Sequence, residues 1–314
     1  MTRSFLRDDD LTAAEQAHVL ELAASFKADP YAAKPLAGPR TVATIYDKPT
    51  LRTQSSFAAG IAELGGHPML VDGQLAGIGR RESIADVARV LGRQASMIVW
   101  RTYAQGRLEE MAAHADVPVV NALTDDFHPC QLLADLLTVR EHKVKDGQSM
   151  AGLRVAFVGD GACNMGNSWI LAGALAGLEV VIGAPEGYAP APAMFERANE
   201  IGAGTGGSAG WTTDPVEAVT GADVVVTDTW VSMGREDEAQ ARLDAFTPYS
   251  VTEGLLGHAQ PDAIVMHCLP AYRGKEIDAS VIDGPRSVVW DEAENRRHAQ
   301  KAIMAFLVEE NSKA

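Results

Sequence analysis

The 314-residue chain has only three cysteines, and their spacing argues against two structural classes. Cys130, Cys163 and Cys268 are far apart and include no Cys-x-x-Cys pair. A disulfide framework needs paired cysteines, and a structural zinc site needs clustered ones. We therefore predict reduced thiols in a cytoplasmic protein, with no metal site.

Basic residues are also scarce. The chain has 27 lysines and arginines against 42 acidic residues, which gives a formal net charge of −15 at pH 7. A surface of this charge repels nucleic acid and anionic membranes, so neither is an expected partner. An anionic ligand must instead be held by a local group of arginines, lysines and backbone amides.

Long apolar runs are absent as well. The most apolar stretch, residues 168–184, contains Glu179 and several glycines, so it predicts a buried helix followed by a strand and no membrane span. Residues 1–11 contain Arg3, Arg7 and three aspartates without an apolar segment. We therefore expect no secretory signal.

The residues that are present predict an α/β fold. Short β-branched runs alternate with longer helix-like stretches, which is typical of βαβ units around a parallel sheet, and the length suits two domains. A polar connector at residues 143–149 separates a predicted domain at residues 1–142 from another at residues 150–294, and a helix within residues 295–314 could pack back on the first. Strands are predicted at residues 41–46, 68–71, 97–100, 118–120, 154–158, 179–182, 223–227, 263–267 and 287–289, and helices at residues 52–64, 82–92, 107–114, 129–142, 165–176 and 295–308.

A candidate anion site lies between the first predicted strand and the helix that follows it. With Thr50 as N-cap, the free amides of Leu51, Arg52 and Thr53 would point outward beside the Arg52 guanidinium. Helix starts of this kind bind phosphate. A routine cap beside a surface arginine is the simpler alternative.

Two further polar positions follow predicted strands. Arg101 comes directly after an apolar strand, where it could bind the same anion or polarise a carbonyl group. His128 precedes a helix with Pro129 at its first position, and its imidazole could donate a hydrogen bond to a developing oxyanion, with Gln131 nearby. Taken alone, an arginine at a strand end is usually structural, and a His-Pro pair is more often only a helix start.

A glycine-rich turn opens the second half of the chain. Gly159, Gly161 and Gly166 have the spacing GxGxxxxG, whereas the dinucleotide-binding fingerprint requires GxGxxG. An NAD oxidoreductase would rest on this turn alone and would leave the basic groups of the first half unexplained. A polar ligand contacting Asn164 fits the turn better.

The strand at residues 223–227 ends at an acid and continues into Ser-Met-Gly. Because ligands bind at the carboxyl ends of parallel strands, Asp228, Ser232 and the turn at Gly234 are candidates for binding a small polar molecule. A solvated aspartate at an ordinary strand end is the alternative.

The strand at residues 263–267 ends at Cys268 and Leu269, and three interpretations of this end are open. Cys268 could be a nucleophile, an inert buried thiol, or a thiol beside a reacting amine while the carbonyl groups of Cys268 and Leu269 hold an NH2 group. Near the start of the last helix, Arg296 could turn inward.

Taken together, these segments resemble the transcarbamylase family, and within it the members that use ornithine. The match covers nearly the whole chain and keeps the order of the family's motifs. The Ser-Met-Gly element is the most specific, because it resembles the loop by which ornithine enzymes, unlike aspartate or N-acetylornithine relatives, close over their amino acid. The matching segments are residues 50–53, 100–102, 128–131, 159–164, 228–234, 267–270 and 294–296.

The resemblance implies two doubly wound parallel-sheet α/β domains joined by interdomain helices, one for carbamoyl phosphate and one for L-ornithine. It implies homotrimers or higher assemblies of trimers. The implied reaction transfers the carbamoyl group to the δ-amine of ornithine, giving L-citrulline and phosphate in arginine biosynthesis, with no cofactor. A transcarbamylase acting on putrescine, lysine or N-acetylornithine is the alternative.

The resemblance also implies roles for individual residues. The implied catalytic residues are Arg52, Thr53, Arg101, His128 and Cys268. Carbamoyl phosphate would be bound by these five together with Thr50, Leu51, Gln131, Leu269 and Arg296. Ornithine would be bound by Asn164, Asp228, Ser232 and Met233.

Several positions depart from the family's pattern. Leu51 and Gln54 replace a hydroxyl and a positive charge of the usual Ser-Thr-Arg-Thr-Arg, so phosphate affinity could be lower. The Gln or His that many relatives send into a neighbouring subunit's site is not found near Gly77, where Gln74 could substitute for it. Asn167 stands where His is common, and Arg235 where Gln is usual. A paralogue that binds without turnover is a further alternative, indicated only by Gln54 and Gly77.

Overall fold

The computed structural model describes residues 2–145, 148–231 and 236–313. The chain divides into two compact units. Unit 1 comprises Met1–Leu137 and Glu294–Ala314, and unit 2 comprises Thr138–Ala293. Within the described part of the chain, no helix combines the length and the apolar character needed to cross a membrane.

Unit 1 contains a sheet of four parallel strands, β1 (Thr41–Tyr46), β2 (His67–Asp72), β3 (Met97–Arg101) and β4 (Val119–Leu123). Their order across the sheet is β2-β1-β3-β4. The helices that follow one another along the chain are α1 (Ala13–Ala28), α2 (Arg52–Glu63), α3 (Gly73–Ala76), α4 (Ile84–Leu91), α5 (Gln105–His114) and α6 (Pro129–Lys143), which ends in unit 2.

Unit 2 contains five parallel strands, β5 (Arg154–Val158), β6 (Glu179–Gly183), β7 (Ser208–Thr212), β8 (Val224–Thr227) and β9 (Ile264–His267). Their order is β7-β6-β5-β8-β9. Its helices are α7 (Asn164–Leu175), α8 (Pro192–Thr205), α9 (Pro215–Val219), α10 (Ala239–Phe246), α11 (Glu253–Leu256) and α12 (Ala279–Ile282), and α13 (Val289–Ser312) begins in unit 2 and ends in unit 1. Short 3₁₀ helices cover Asp8–Asp10, Glu186–Tyr188, Glu236–Glu238 and Thr247–Tyr249.

These two parallel sheets confirm the predicted α/β class, and each sheet has one place where the direction of winding reverses. From β1 the chain adds β2 on one side and then β3 and β4 on the other, and from β5 it adds β6 and β7 before β8 and β9. In open parallel sheets, ligands bind at the carboxyl ends of the strands beside such a reversal. The sites are therefore expected where β1 meets β3 and where β5 meets β8.

Local sequence explains several element boundaries. Thr12 and Glu15 form a reciprocal capping box that starts α1, and the Ser83 hydroxyl accepts from the Asp86 amide at the start of α4. At the ends of unit 1, Arg3 and Asn311 form two hydrogen bonds. The Arg3 amide donates to Asn311 Oδ1 at 2.7 Å, and Asn311 Nδ2 donates to the Arg3 carbonyl at 3.0 Å.

One predicted strand, residues 287–289, is wrong. Ser287 forms a single isolated bridge with Val265, and α13 already begins at Val289. The apolar pair Val288 and Val289 is buried because it packs at the start of a helix, and a short apolar run cannot distinguish that from a strand.

Candidate active site

In unit 1, the ends of β1 and β3 bring Tyr46 and Arg101 together, since these residues are partners in the strand register. The buried carboxylate of Asp47, one residue further on, fixes this junction. Asp47 Oδ2 accepts hydrogen bonds from Trp100 Nε1 at 3.1 Å and from the Thr102 hydroxyl at 2.6 Å. The Asp47 amide donates to the Arg101 carbonyl at 2.9 Å. Arg101 therefore projects from a rigid strand end, as the sequence predicted.

Two arginines converge on the hydroxyl of Thr53 in the first turn of α2. Arg101 Nη1 lies 3.4 Å and Arg296 Nη2 lies 3.1 Å from Thr53 Oγ1. Thr53 and Arg296 are buried, at 1% and 3% exposure. Two guanidinium groups beside the amides of a helix start form a site that attracts a polyanion such as phosphate.

The start of α2 differs from the prediction by one residue. The N-cap is Leu51, whose own side chain makes no capping bond and is largely exposed, whereas Thr50 was expected there. Thr50 Oγ1 still accepts from the Thr53 amide, at a long 3.4 Å. The half-buried Arg52 is the first helical residue, and within the described part of the chain its guanidinium has no hydrogen-bond or ion-pair partner. It is therefore available to an anion.

Arg296 is held in place by a chain of side-chain hydrogen bonds. Its Nη1 donates to Gln131 Oε1 at 2.5 Å, and Gln131 Nε2 donates to Asp135 Oδ1 at 2.7 Å. Gln131 and Asp135 are one turn apart on α6 and are fully buried. The prediction that Arg296 turns inward is confirmed, whereas Asp135 was missed because a carboxylate inside an apolar helix shows no motif.

His128 is a neutral imidazole in this surrounding. Burial of the ring and the positive charges of Arg296 and Arg101 hold the pKa of His128 well below its usual range. A neutral imidazole carries one N–H group, which can donate a hydrogen bond to a developing oxyanion. Burial also raises the pKa of Tyr46 to about 12 and that of Cys130 to about 12, so neither side chain supplies an anion near neutral pH.

In unit 2, the strand register brings an acid and a thiol together. Thr227 is paired with His267 across β8 and β9, so the next residues, Asp228 and Cys268, leave adjacent strand ends. The Cys268 thiol donates to Asp228 Oδ1 at 3.2 Å. Burial raises the pKa of Asp228, and the bond from Cys268 opposes part of that shift. A carboxylate in such a position can accept a hydrogen bond from an amine.

Asp228, His267 and Cys268 place one potential ligand atom each within 4.8 Å of one another, which is a spacing that could hold a metal ion. Both ring nitrogens of His267 are already within hydrogen-bond distance of protein groups, Nδ1 of the Leu269 amide and Nε2 of Glu276. The imidazole is thus used in hydrogen bonding, and the cluster fits an acid and thiol pair better than a metal centre.

The glycine turn of unit 2 is shaped by packing inside the protein. A Cβ on Gly166 would lie 2.3 Å from the Gly161 carbonyl oxygen, and one on Gly161 would lie 2.6 Å from Ile182 Cγ2. Close packing therefore accounts for these glycines without a dinucleotide. Asn164 begins α7 directly after the turn, and the buried Asp160 forms an ion pair with Arg242 at 2.6 Å.

The structure thus groups most of the predicted residues at the two expected strand edges. In unit 1 it brings together Thr53, Arg101, Gln131 and Arg296, with Thr50, Leu51, Arg52 and His128 on the neighbouring helix starts. In unit 2 it brings together Asp228 and Cys268, with Leu269 next to Cys268 and with Asn164 at the start of α7. Ser232, Met233 and Arg235 lie outside the described residues.

Comparison with known proteins gives two adjacent domain matches that cover nearly the whole chain. Residues 3–141 match the model described as "Aspartate/ornithine carbamoyltransferase, carbamoyl-P binding domain". Residues 151–307 match the model described as "Aspartate/ornithine carbamoyltransferase, Asp/Orn binding domain".

Whole proteins match over their full length as well. The ornithine carbamoyltransferase of Clavibacter michiganensis subsp. michiganensis is 59% identical over 311 residues, which cover 99% of this chain and 100% of the relative. The solved ornithine carbamoyltransferase of Pyrococcus furiosus has a TM-score of 0.91 at 45% identity and covers 97% of this chain and 96% of its own. The anabolic enzyme of Campylobacter jejuni has a TM-score of 0.92 at 34% identity, with 98% and 99% covered.

Proposed function

The chain belongs to the aspartate/ornithine carbamoyltransferase family, and we propose that it transfers the carbamoyl group of carbamoyl phosphate to the δ-amine of L-ornithine. The products are L-citrulline and phosphate. One observation carries the proposal, namely that Arg101 and Arg296 converge on the Thr53 hydroxyl at a helix start. Together with the neutral His128, this is an environment for a substrate that has both a phosphate and a carbonyl group.

Carbamoyl phosphate is assigned to the groups of unit 1 and to one strand end of unit 2. The helix-start amides and Arg52 bind phosphate, while Arg101, His128 and the Thr53 hydroxyl stabilise the oxyanion that develops on the carbonyl oxygen. The backbone carbonyl groups of Cys268 and Leu269 accept from the NH2 group. The full assignment is Thr50, Leu51, Arg52, Thr53, Arg101, His128, Gln131, Cys268, Leu269 and Arg296.

Ornithine is assigned to unit 2. Asp228 accepts from an amino group, with the Cys268 thiol beside it. Asn164, Ser232 and Met233 complete the assignment. An amine attached to a flexible aliphatic chain is mostly protonated at pH 7, so the site must favour its neutral form before it reacts.

The reaction requires no cofactor. The neutral amine attacks the carbonyl carbon, a C–N bond forms, and the carbon becomes tetrahedral while its oxygen becomes an oxyanion. When the carbonyl group reforms, the C–O bond to phosphate breaks, phosphate leaves with the electron pair of that bond, and the proton that the new ammonium group loses is taken up by the departing phosphate. The arginines act in both steps, first on the oxyanion and then on the departing phosphate.

The proposal extends to organisation. Residues 1–142, with the helix in residues 295–314, form the carbamoyl phosphate-binding domain, and residues 150–294 form the ornithine-binding domain. The protein works as a homotrimer or an assembly of trimers in the cytoplasm, in arginine biosynthesis. Another amine, such as putrescine, lysine or N-acetylornithine, is the alternative acceptor, and the pair of Asp228 with Cys268 favours an acceptor that carries a free amine.

The test is product formation from carbamoyl phosphate with ornithine, putrescine, lysine and N-acetylornithine in parallel. We expect citrulline from ornithine and little product from the other three amines. If a folded protein forms no product with any amine, the enzyme proposal is refuted. If it prefers another amine, that amine replaces ornithine as the proposed acceptor. Native mass measurement on the same sample tests the trimer.

Two substitutions test the observation on which the proposal rests, that Arg101 and Arg296 converge on the Thr53 hydroxyl. Arg101→Ala removes a guanidinium from the Thr53 hydroxyl and should lower kcat by about 10²-fold or more, since it removes oxyanion stabilisation. Arg89→Ala is the matched control, because Arg89 pairs with Asp86 on the exposed surface of α4. Equal activity of the two variants would refute the role of Arg101.

A further inference from the structure

His267, the last residue of β9, is fully buried and makes three polar contacts. Its backbone amide donates to Glu292 Oε2 at 2.8 Å. In its ring, Nδ1 lies 2.9 Å from the Leu269 amide nitrogen, and Nε2 lies 3.3 Å from Glu276 Oε1. The carbamoyl transfer proposed above assigns no role to His267 or Glu276.

The contacts of the ring determine where its proton lies. An amide N–H can only donate, so Nδ1 accepts from Leu269 and carries no proton. Nε2 then carries the ring proton and donates it to the Glu276 carboxylate. Both ring nitrogens of His267 are therefore used in hydrogen bonds, one as an acceptor and the other as a donor.

The residue that His267 accepts from has an unusual backbone. Leu269 has φ of +56°, a left-handed conformation that is unfavourable for a residue with a side chain and persists only where its surroundings hold it. The bond from the Leu269 amide to His267 Nδ1, at 2.9 Å, is one contact that holds it.

Glu276 fixes the other end of the same segment. Its carboxylate, 1% exposed, also accepts from the Tyr272 amide at 2.5 Å, and its backbone carbonyl accepts from the Val251 amide at 2.9 Å. Residues 269–272 thus begin and end at amides, those of Leu269 and Tyr272, that are tied to a single buried pair of side chains.

We propose that His267 and Glu276 are positioning residues for the Cys268–Leu269 backbone. They contact no substrate. Their hydrogen bonds set the directions of the two carbonyl groups and of the Cys268 thiol, which lies 3.2 Å from Asp228. This inference rests on the proposed function, in which those carbonyl groups and that thiol meet the carbamoyl NH2 group and the ornithine amine.

Two substitutions separate the contacts of the ring, because each amide side chain reproduces one nitrogen. His267→Asn places its oxygen near the position of Nδ1, so it keeps an acceptor for Leu269 and loses the donor to Glu276. His267→Gln places its NH2 group near the position of Nε2, so it keeps the donor and loses the acceptor. Misplacement of a reacting group by about 1 Å costs roughly 10²-fold in rate.

We expect His267→Gln to lower kcat for citrulline formation about 10²-fold and His267→Asn about tenfold, at matched thermal stability. KM for both substrates should change less than kcat, because the directions of the carbonyl groups and the thiol affect the reacting geometry more than substrate capture. The same two changes at the exposed His258 are the controls. A general packing defect would lower activity in proportion to stability and would not rank Gln below Asn.

Wild-type kcat in a folded His267→Gln variant would overturn the proposal, as would equal losses in the two variants. If neither variant folds, Glu276→Gln decides, because it keeps an acceptor and removes only the charge. A several-fold lower kcat at unchanged melting temperature then supports positioning, and wild-type kcat refutes it. Failure of the proposed function is separate, because the wild-type protein itself would then form no citrulline.

Discussion

At the scale of single residues, burial rather than residue type determines which ionisable groups can act. His128 is held neutral by burial and two arginines, whereas burial raises the pKa of Asp228 toward the neutral range, with the Cys268 thiol donating to it. The neutral His128 imidazole can donate a hydrogen bond to an oxyanion, and Asp228 is the stronger acceptor from an amine when its carboxyl group is ionised. The two halves of the reaction therefore depend on pH in different ways.

The value of kcat/KM for ornithine should rise from pH 6 to pH 9. The neutral fraction of the ornithine amine grows from pH 6 to pH 9, and the raised pKa of Asp228 acts in the same direction, because its carboxylate forms at a higher pH than that of an ordinary aspartate. The lowered pKa of His128 keeps its imidazole neutral from pH 6 to pH 9, so the protonation of His128 does not affect the pH profile of kcat/KM in this range. Initial-rate measurements at limiting ornithine test this, and a flat profile would contradict it.

The variant Asp228→Asn is the control for this pH profile. It should be inactive but more stable than the wild-type protein. A carboxyl group whose pKa is raised by folding favours the protonated form, so its ionised form destabilises the native state at pH 8. Asparagine removes that cost, which predicts a melting temperature higher by about 1–3 °C at pH 8. The gain should disappear at acidic pH, where Asp228 is protonated in both states. A lower melting temperature at pH 8 would show that the carboxylate is not destabilising.

The candidate site was predictable where it follows strand ends and helix starts. Arg101, Asp228 and Cys268 come at the ends of apolar runs, so the parallel-sheet rule places each of them at the carboxyl edge of its own sheet. Glu276 and Asp135 could not be predicted in this way. One lies nine residues from its histidine partner across an irregular segment, and the other lies inside an apolar helix, so only the packed structure reveals what they contact.

At the scale of elements, the helix α13 is attached to unit 1 by a buried charge. Lys301 is fully buried, and its Nζ lies 2.7 Å from Glu63 Oε2 and 2.5 Å from the Pro30 carbonyl oxygen. Its aliphatic stem also occupies the space beside Gly60, 3.1 Å from where a Cβ would stand. This lysine therefore joins α13 to α2 and to the end of the α1 region by both charge and packing.

Lys301→Ala should destabilise the protein by about 3 kcal/mol, because it leaves a cavity and removes a partner of the poorly exposed Glu63 carboxylate. Arg297 still pairs with Glu63 at 3.2 Å, which limits the loss. The midpoint of urea unfolding measures the effect. Lys313→Ala is the control, since that lysine pairs with Glu309 and Glu310 in the open. An equal midpoint for the two variants would contradict this account of α13.

Near the start of α7, the position of Gly166 tolerates no side chain. Gly166→Ala places a methyl group 2.3 Å from the Gly161 carbonyl oxygen, a backbone atom that cannot move independently. We expect a loss of about 1–3 kcal/mol and a higher KM for ornithine, because the helix start that carries Asn164 must shift. Gly187→Ala, where no atom lies within 4 Å, should behave as wild type. Melting temperature and steady-state kinetics on both variants provide the comparison.

Most elements could be predicted from sequence, and the errors have physical reasons. The central strands of both sheets are short β-branched runs that are buried on both faces, which makes them easy to identify. The edge strand β7, Ser-Ala-Gly-Trp-Thr, was not predicted because it has few β-branched residues and is only partly buried. The helix α1 was also missed, although Thr12 and Glu15 form a capping box.

At the scale of the whole molecule, the two units differ in how the chain builds them. Unit 2 is one continuous segment with its own apolar cluster, which includes Val158, Val225, Val265 and Ile282. Unit 1 is made from two segments and includes the second half of α13. Only unit 2 can therefore form its core from consecutive residues.

A fragment of residues 138–293 should fold alone and unfold cooperatively on heating, because the contacts of its core are internal. A fragment of residues 1–137 should fail to do so, since it lacks the helix whose Lys301 and Arg296 lie buried in unit 1. Near-UV circular dichroism and calorimetry distinguish the two. Cooperative unfolding of the shorter fragment would show that the last helix is dispensable for unit 1.

The reciprocal hydrogen bonds between Arg3 and Asn311 have a consequence for the topology of the polypeptide. Arg3 and Asn311 are 308 positions apart in the sequence, yet they lie side by side in unit 1. A short linker that joins the segments around these two residues, with new termini placed in an exposed turn elsewhere, would give a circularly permuted protein with the same sheets and the same strand edges. The order of the elements along the sequence can thus change while their packing stays the same.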